Sequence, residues 1–341
     1  MHNNGNKIVE SIGIVAIGRN EGERFCECLA SLPLGLAAVY VDSGSTDNSV
    51  ANADAAGVHV VHLSSKVGFT AARARNLGWH TLLVRHPGLQ FVQFIDGDCS
   101  LDPHWLEQAI AAIEGNDGLA VVFGRRRERF PEKSYYNAQC DREWDVPVGE
   151  VRACGGDAFM RVEAIMQVQG YNDQLIAGEE PDLCLRMRLR GWKIRRISPE
   201  MTMHDAAILT FSAWWKRAKR AGHAYAEHVF IHKSMADPDW IRALASTTVW
   251  GLILPGSAIF GIFLGLFANL TWLLLPFAVV LIFLAQFSRL WARSRTQDQS
   301  NKSARNEALL LLIAKFAHCA GAAAFVTNIV RGRRSTLMEY K

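Results

Sequence analysis

The sequence predicts an α/β domain with a Rossmann-like, mostly parallel sheet, followed by helices that enter a membrane. Three observations predict it. Over the first 125 residues, short apolar runs alternate with stretches of helical spacing. Several of those runs end in polar or acidic residues. Further on, 46 consecutive residues after Arg242 contain no Asp, Glu, Lys or Arg.

The elements follow in order. Ser11–Ile17 reads as a buried strand, and Glu21–Leu32 as a helix with Phe25, Cys28, Leu29 and Leu32 on one face. Leu36–Asp42 is a second strand. Ser45–Gly57 is a helix capped by Ser45 or Thr46 and stopped by Gly57. Val58–Leu63 is a third strand, Gly68–Val84 a helix and Gln90–Asp96 a fourth strand. A helix follows Pro103, which suits its first turn, and Leu119–Gly124 is a fifth strand. Tyr135–Glu200 is less regular. Strands joined by such helices form a parallel sheet, whose ligand site lies off the carboxyl ends of the strands. Arg19, Asn20 and Glu21, then Asp42 and Ser43, then Asp96 and Asp98 should therefore converge on one edge.

Asp96 and Asp98 form a D-x-D pair in "FVQFIDGDCSLDPHW". On the pattern alone, a metal site and a solvated loop with an acidic helix start both fit. A dinucleotide fingerprint G-x-G-x-x-G is absent from the first turn, "IGRNEGE", and the P-loop pattern is absent too. Phosphatases with an aspartyl nucleophile carry D-x-D after the first strand, whereas here it follows the fourth. The net charge of +4 over 341 residues does not point to nucleic acid. Seven cysteines without paired spacing read as reduced cytosolic thiols, not as a disulfide framework or a zinc site. No secretory signal is expected: the first apolar run, Ile12–Ile17, is short and is followed by Arg19.

Five blocks in order, "RNEGE", "VDSGSTDNS", "GFTAARARNLG", "DGDC" and "GEEPDLCLRMRLRGW", resemble the family-2 glycosyltransferases of the GT-A fold. The resemblance runs from about Ile12 to His228. It implies inverting transfer of a sugar from a nucleotide diphosphate, assisted by Mn or Mg. A divalent cation held by carboxylates offsets charge on a departing diphosphate, and hard oxygen ligands suit those two metals. By the resemblance Asp98 holds the metal and Asp96 meets ribose or sugar. Asp42 accepts from the base, uracil being favoured, and Asn20 and Glu21 contact the nucleoside. Arg75 and Asn76 lie on the sugar and phosphate side. Gly155 and Gly156 allow close backbone approach, and Asp157 touches a sugar. His204 stands near a histidine that completes the metal coordination in related members. The attacking hydroxyl needs a general base. Glu180 stands where the family usually has Asp, with Asp182 as the second candidate.

One helix of 46 residues would be about 69 Å long, against a hydrocarbon core of about 30 Å. Two spans are expected, Thr247–Phe267 and Thr271–Phe287, turning at Ala268–Leu270. Trp214 and Trp215 beside Lys216, Arg217, Lys219 and Arg220 suit a helix at a bilayer surface. Arg289, Arg293, Arg295, Lys302 and Arg305 follow the second span and point to the cytosol by the positive-inside rule. The catalytic domain is then cytosolic at the inner membrane. Glu307–Val330 contains Lys315 and His318 and reads as re-entrant or interfacial, with a cytosolic C-terminus. The expected organisation is a catalytic domain over 1–205, amphipathic interfacial helices over 206–245 and two spans over 246–288. A basic loop, a re-entrant or interfacial helix and a tail fill 289–341. The Q-x-x-R-W pattern of processive synthases is absent, so single additions are expected. The leading function is transfer from a nucleotide sugar, UDP-linked by preference, to a lipid-linked acceptor for cell-envelope or exopolysaccharide assembly. A polyprenyl-phosphate sugar transferase is the alternative, and a non-catalytic membrane scaffold a more distant one.

Overall fold

The computed structural model describes residues 11–295 and 300–333, so the outermost ends of the first and last expected segments lie outside the described residues. The chain forms two compact units. One comprises Met1–Pro131 and Cys140–Ala207, the other Glu132–Gln139 and Ile208–Lys341.

In the first unit β1 (Ile12–Gly18), α1 (Glu23–Ser31), β2 (Ala37–Asp42), α2 (Ser49–Ala55), β3 (His59–His62), α3 (Ala71–Arg85) and β4 (Phe91–Asp96) follow one another. These four strands are parallel, in the order β3-β2-β1-β4. β5 (Cys99–Leu101), α4 (Trp105–Glu114) and β6 (Leu119–Glu128) come next, then α5 (Tyr135–Glu143), whose residues up to Gln139 belong to the second unit, then β7 (Gly149–Val151), β8 (Ala158–Arg161), α6 (Val162–Gln167), α7 (Glu179–Leu189) and β9 (Lys193–His204). The core is apolar on both faces of the sheet, with Ile14, Val15, Phe94, Phe159 and Trp105 fully enclosed. Gln93, a polar group as deeply buried, accepts from Trp105 Nε1 at 2.7 Å, so its burial leaves no lost bond there.

The second half of the sheet departs from the parallel expectation. The fifth predicted strand does not lie beside the fourth. β8 is inserted between β4 and β6 and runs antiparallel to both. β9 then pairs parallel to β6 and antiparallel to β5 and β7. A strand of four residues such as β8 shows too little alternation to be read from sequence. The helix expected over Ser45–Gly57 is also shorter. Asp42 accepts from the backbone N–H groups of Gly44 and Ser45, and Asn20 Oδ1 from that of Thr46 at 2.7 Å. Those N–H groups are engaged by side chains, so the helix starts four residues later.

The second unit is helical. It contains α8 (Phe211–His232), α9 (Pro238–Thr248), a π-helical turn at Val249–Ile253, α10 (Leu254–Phe267), α11 (Leu274–Arg295) and α12 (Asn301–Val330). Three helical stretches are long and apolar enough to cross a membrane: Pro238–Phe267, Leu270–Arg295 and Asn301–Val330. Their apolar side chains, among them Ile259, Phe263, Leu266, Phe277 and Leu284, are mostly not covered by protein. Among soluble folds such a contiguous apolar face would be exceptional. Glu307–Val330 lies within one unbroken helix, α12. Trp214 is not an interfacial residue: it is enclosed, donates to Gln139 Oε1 at 2.8 Å and stacks on Tyr136.

α8 and α12 meet backbone to backbone. A Cβ on Gly222 would collide with the His318 carbonyl, and one on Gly321 with the Lys219 carbonyl. Small residues allow this approach, as in helix pairs within membranes. Gly321→Leu should therefore lower the detergent-solubilised protein's thermal midpoint, with a cost of about 1–3 kcal/mol or more for overpacking. A melting curve unchanged from wild type would show that these helices do not pack this way.

Candidate functional site

The carboxyl ends of β1, β2 and β4 do meet at one edge, and β8 and β9 bring further groups to it. β4 ends at Asp96, and Gly97 turns the chain by donating from its N–H to the Ile17 carbonyl at 2.7 Å. A side chain at 97 would press on that same carbonyl. Asp98 follows, and β5 then pairs Cys99 with His204 of β9. His204 Nε2 lies 3.3 Å from Asp98 Oδ2, and its Nδ1 lies 3.5 Å from Glu128 Oε2. Asp98, Cys99 and His204 are buried, and one ligand atom from each lies within 4.8 Å of the others. Burial and the Arg126 guanidinium push the His204 imidazole down, against Glu128, so it is neutral at neutral pH. A carboxylate and a neutral imidazole suit a divalent cation, whereas burial pushes the Cys99 thiol up and keeps it protonated. Asp98 and His204, far apart in sequence, are thus brought together.

Asp96 is the hub of a second cluster. Arg75 of α3 donates from Nη2 to Asp96 Oδ1 at 2.9 Å. The same guanidinium reaches Glu179 Oε1 at 3.0 Å and Glu180 Oε1 at 2.9 Å, at the start of α7. Arg126, at the end of β6, lies 3.5 Å from both Asp96 Oδ2 and Asp157 Oδ2 and sits over the Trp144 ring. Asp157 accepts from the Asp96 N–H at 2.9 Å and from Thr202 Oγ1 at 2.7 Å. Gly156 passes so close that a Cβ there would lie 2.5 Å from Arg75 Nη2 and 2.8 Å from Asp96 Oδ2. Only glycine leaves the Arg75–Asp96 pair intact.

Of the two acids that open α7, Glu180 is the more open, with 15% of its side chain exposed against 5% for Glu179. Burial and the neighbouring Glu179 push the Glu180 carboxyl up to about 7, while Arg75 opposes. That value suits a general base. Asp182, the second candidate, is buried and accepts from Arg186 Nε and Nη2 at 2.9 and 2.7 Å within its own helix. Arg186 also donates to the carbonyls of Val168 and Gly170, so Asp182 tethers α7 to that loop.

Other predicted residues sit apart from this pair of clusters. Asn76 donates to the Tyr171 carbonyl and to Asp173, and accepts from the Tyr171 N–H and Trp79 Nε1. Three of these four hydrogen bonds hold the 171–173 loop, the fourth comes from Trp79 of its own helix, and none joins the Asp96 cluster. Asn20 ties β1's exit to Ser45 and Thr46. Glu21 pairs with Arg24 at 2.7 Å and packs beneath Gly97. Asp42 is buried; burial pushes its carboxyl up, but hydrogen bonds from Ser45, His62 and Gly44 prevail and hold it low. It shapes the 43–46 loop beside Asn20.

Sequence reasoning passed over Arg126, Glu128, Trp144 and Thr202. Its only trace was the run "GRRRER" at the end of a predicted strand, where a reader finds four similar arginines. Which one faces the acids depends on the register of β6 against β9, which shifts twice between Phe123 and Arg126.

The chain is similar to several known proteins. Residues 14–166 match the model of glycosyl transferase family 2. This segment, somewhat under half of the chain, is similar to family-2 glycosyltransferase domains, and the fold is GT-A-like. The mannosyltransferase of Pyrobaculum calidifontis, solved with GDP-Man and Mn2+, has a TM-score of 0.55 at 16% identity, covering 93% of this chain and 87% of that one. Glucosyl-3-phosphoglycerate synthase from Mycobacterium tuberculosis, solved with Mn2+, UDP and glucosyl-3-phosphoglycerate, has a TM-score of 0.45 at 18% identity, over 66% and 80% of the two chains. The glucosyl-dolichyl phosphate glucuronosyltransferase of Haloferax volcanii is 27% identical over 113 residues, 28% of this chain and 36% of that protein. The chain therefore matches only about a third of the length of that curated relative.

The raised Glu180 carboxyl has a consequence for stability. Folded protein keeps its proton where the unfolded chain, with a carboxyl near the ordinary 4.5, has lost it. The associated stability is fully present below that ordinary value and is lost as pH rises through about 7. Glu180→Gln removes this loss, so its melting temperature relative to wild type should rise between pH 5 and pH 8. A constant difference across that range would mean the carboxyl is not perturbed.

Proposed function

We propose that the protein performs metal-dependent, inverting transfer of one sugar from a nucleotide diphosphate sugar to a lipid-linked acceptor in the cytoplasmic membrane. The observation that carries this is the single cluster in which Arg75 joins Asp96, two residues from Asp98, to Glu180. This link, with Asp98 two residues along from Asp96, supports a site that serves donor, metal and base together. Asp98 and His204 would hold Mn or Mg, with Cys99 beside them. When bound, such an ion offsets charge on the departing diphosphate. Asp96 and Asp157 orient sugar hydroxyls, which they can do only as acceptors. Glu180 takes the proton from the attacking hydroxyl. The 43–46 loop, held by Asp42 and Asn20, borders the nucleoside; a uridine donor is favoured by family resemblance. The Haloferax volcanii relative's name, which includes a dolichyl phosphate, supports a lipid-linked acceptor.

Asp98→Ala should abolish Mn-dependent turnover of a nucleotide-sugar panel by detergent-purified protein. Glu180→Gln should lose about 10²–10⁴-fold in transfer, the usual worth of a general base. Near-normal transfer by the glutamine variant would instead favour a lipid phosphate as the acceptor, because an ionised phosphate needs no strong base. Loss of nucleotide-sugar binding altogether in wild type would return the scaffold reading.

The topology we favour has two spans, with the catalytic domain and the loop after Arg289 in the cytosol. α12 then lies at the interface. Its middle packs on α8 at Lys219 and Gly222, and α8 carries four cations over 216–220, which suits headgroup depth better than the hydrocarbon centre. A reporter fused after Lys341 should read cytosolic; a periplasmic reading would make α12 a third span.

A further inference from the structure

Arg75 falls in the block that family resemblance assigns to the donor's sugar and phosphate side. The structure gives its guanidinium other work. It is 3% exposed, and it reaches Asp96, Glu179 and Glu180 at 2.9, 3.0 and 2.9 Å. Its plane also lies 5.6 Å from the centre of the Tyr171 ring. Three carboxylates and an aromatic face surround a fork that has only five N–H donors. Gly156 closes the remaining side, where no Cβ would fit.

We infer that Arg75 is a positioning residue: it holds Glu180 in reach of the acceptor and, through the same fork, couples that base to the donor-side carboxylate Asp96. This rests on Glu180 being the base. The coupling has a direct physical content. Arg75 links α7 to the β4 edge, so a movement of Asp96 on donor binding is passed to the Glu180 carboxyl. Glu179 is the second half of the device. Its like charge beside Glu180 opposes ionisation of the base, and Arg75 favours it. The other titratable groups bearing on Glu180 are Asp96 of β4 and, from the segments packed around Arg75, Cys154 and Tyr171.

The two neighbours therefore predict opposite shifts. Arg75→Met removes the favourable charge and should move the acid limb of the pH–rate profile upward by about one unit or more. Arg75→Lys, which keeps the charge without the fork, should show a smaller upward shift and a lowered kcat with donor KM little changed. Glu179→Gln removes the like charge and should move the limb downward. A carboxyl titration by 13C NMR on glutamate-labelled protein, assigned against Glu180→Gln, reads the same shifts without requiring turnover. If both titration and limb stay in place in Arg75→Lys and Glu179→Gln, while donor KM rises in Arg75→Lys, then Arg75 is a donor ligand and the inference is wrong. If the carboxyl titration shifts as described but Glu180→Gln transfers sugar normally, the positioning stands and the assignment of Glu180 as base fails.

Discussion

The site depends on one buried guanidinium shared among three acids. Arg75 comes from α3, Asp96 from β4, and Glu179 and Glu180 from α7, so a single side chain ties a helix packed beneath the sheet to a strand end and to a second helix. Leaving buried carboxylates without a cation is costly, typically about 3–5 kcal/mol when one partner of a buried pair is removed. Even with Arg75 and Arg126 present, acids are in excess at this edge: Asp96, Asp98, Asp157, Glu128, Glu179 and Glu180 surround the two guanidiniums. Burial first, and then the neighbouring Glu179, drives the Glu180 carboxyl up.

The mixed sheet is what makes such a density of charge possible. In a purely parallel sheet each strand end contributes its own loop. Here β8 runs the opposite way between β4 and β6, so Asp157 arrives just before that strand starts and its carboxylate bonds back to the Asp96 N–H. β9 continues past the shifts in its pairing with β6 and ends at His204, directly opposite Cys99. Two segments separated by about a hundred residues thus bring Asp98, Cys99 and His204 together. The turn at Gly97 and the close passage at Gly156 are the steric conditions for both.

The helical unit obeys a different rule. Its apolar stretches keep most of their surface uncovered, while the contacts among helices run through glycines: Gly222 and Gly321 between α8 and α12, and Gly261 and Gly265 where α10 turns toward α11. With no water to exclude between helices in lipid, close backbone approach is what holds them together. Of the α8 residues that sequence reading set at a bilayer surface, Trp214 is enclosed, against Tyr136 and Gln139.

The sequence by itself determined the class. Alternating apolar runs, the D-x-D after the fourth strand, the acidic pair opening a helix and the long uncharged stretch are local patterns, and periodicity and residue chemistry are enough to read them. Family resemblance, not periodicity, offered Asp98, His204, Asp96, Asp157 and Glu180 as candidates for one site. Only the tertiary structure decided the place of β8, the role of Arg126 among four similar arginines, and the use of Asn76 and Asp182 to fasten loops. Each of these turns on register or on which partner lies across the sheet. A short strand, a β-bulge and a hydrogen bond between residues a hundred positions apart leave no period in the chain for a reader to detect.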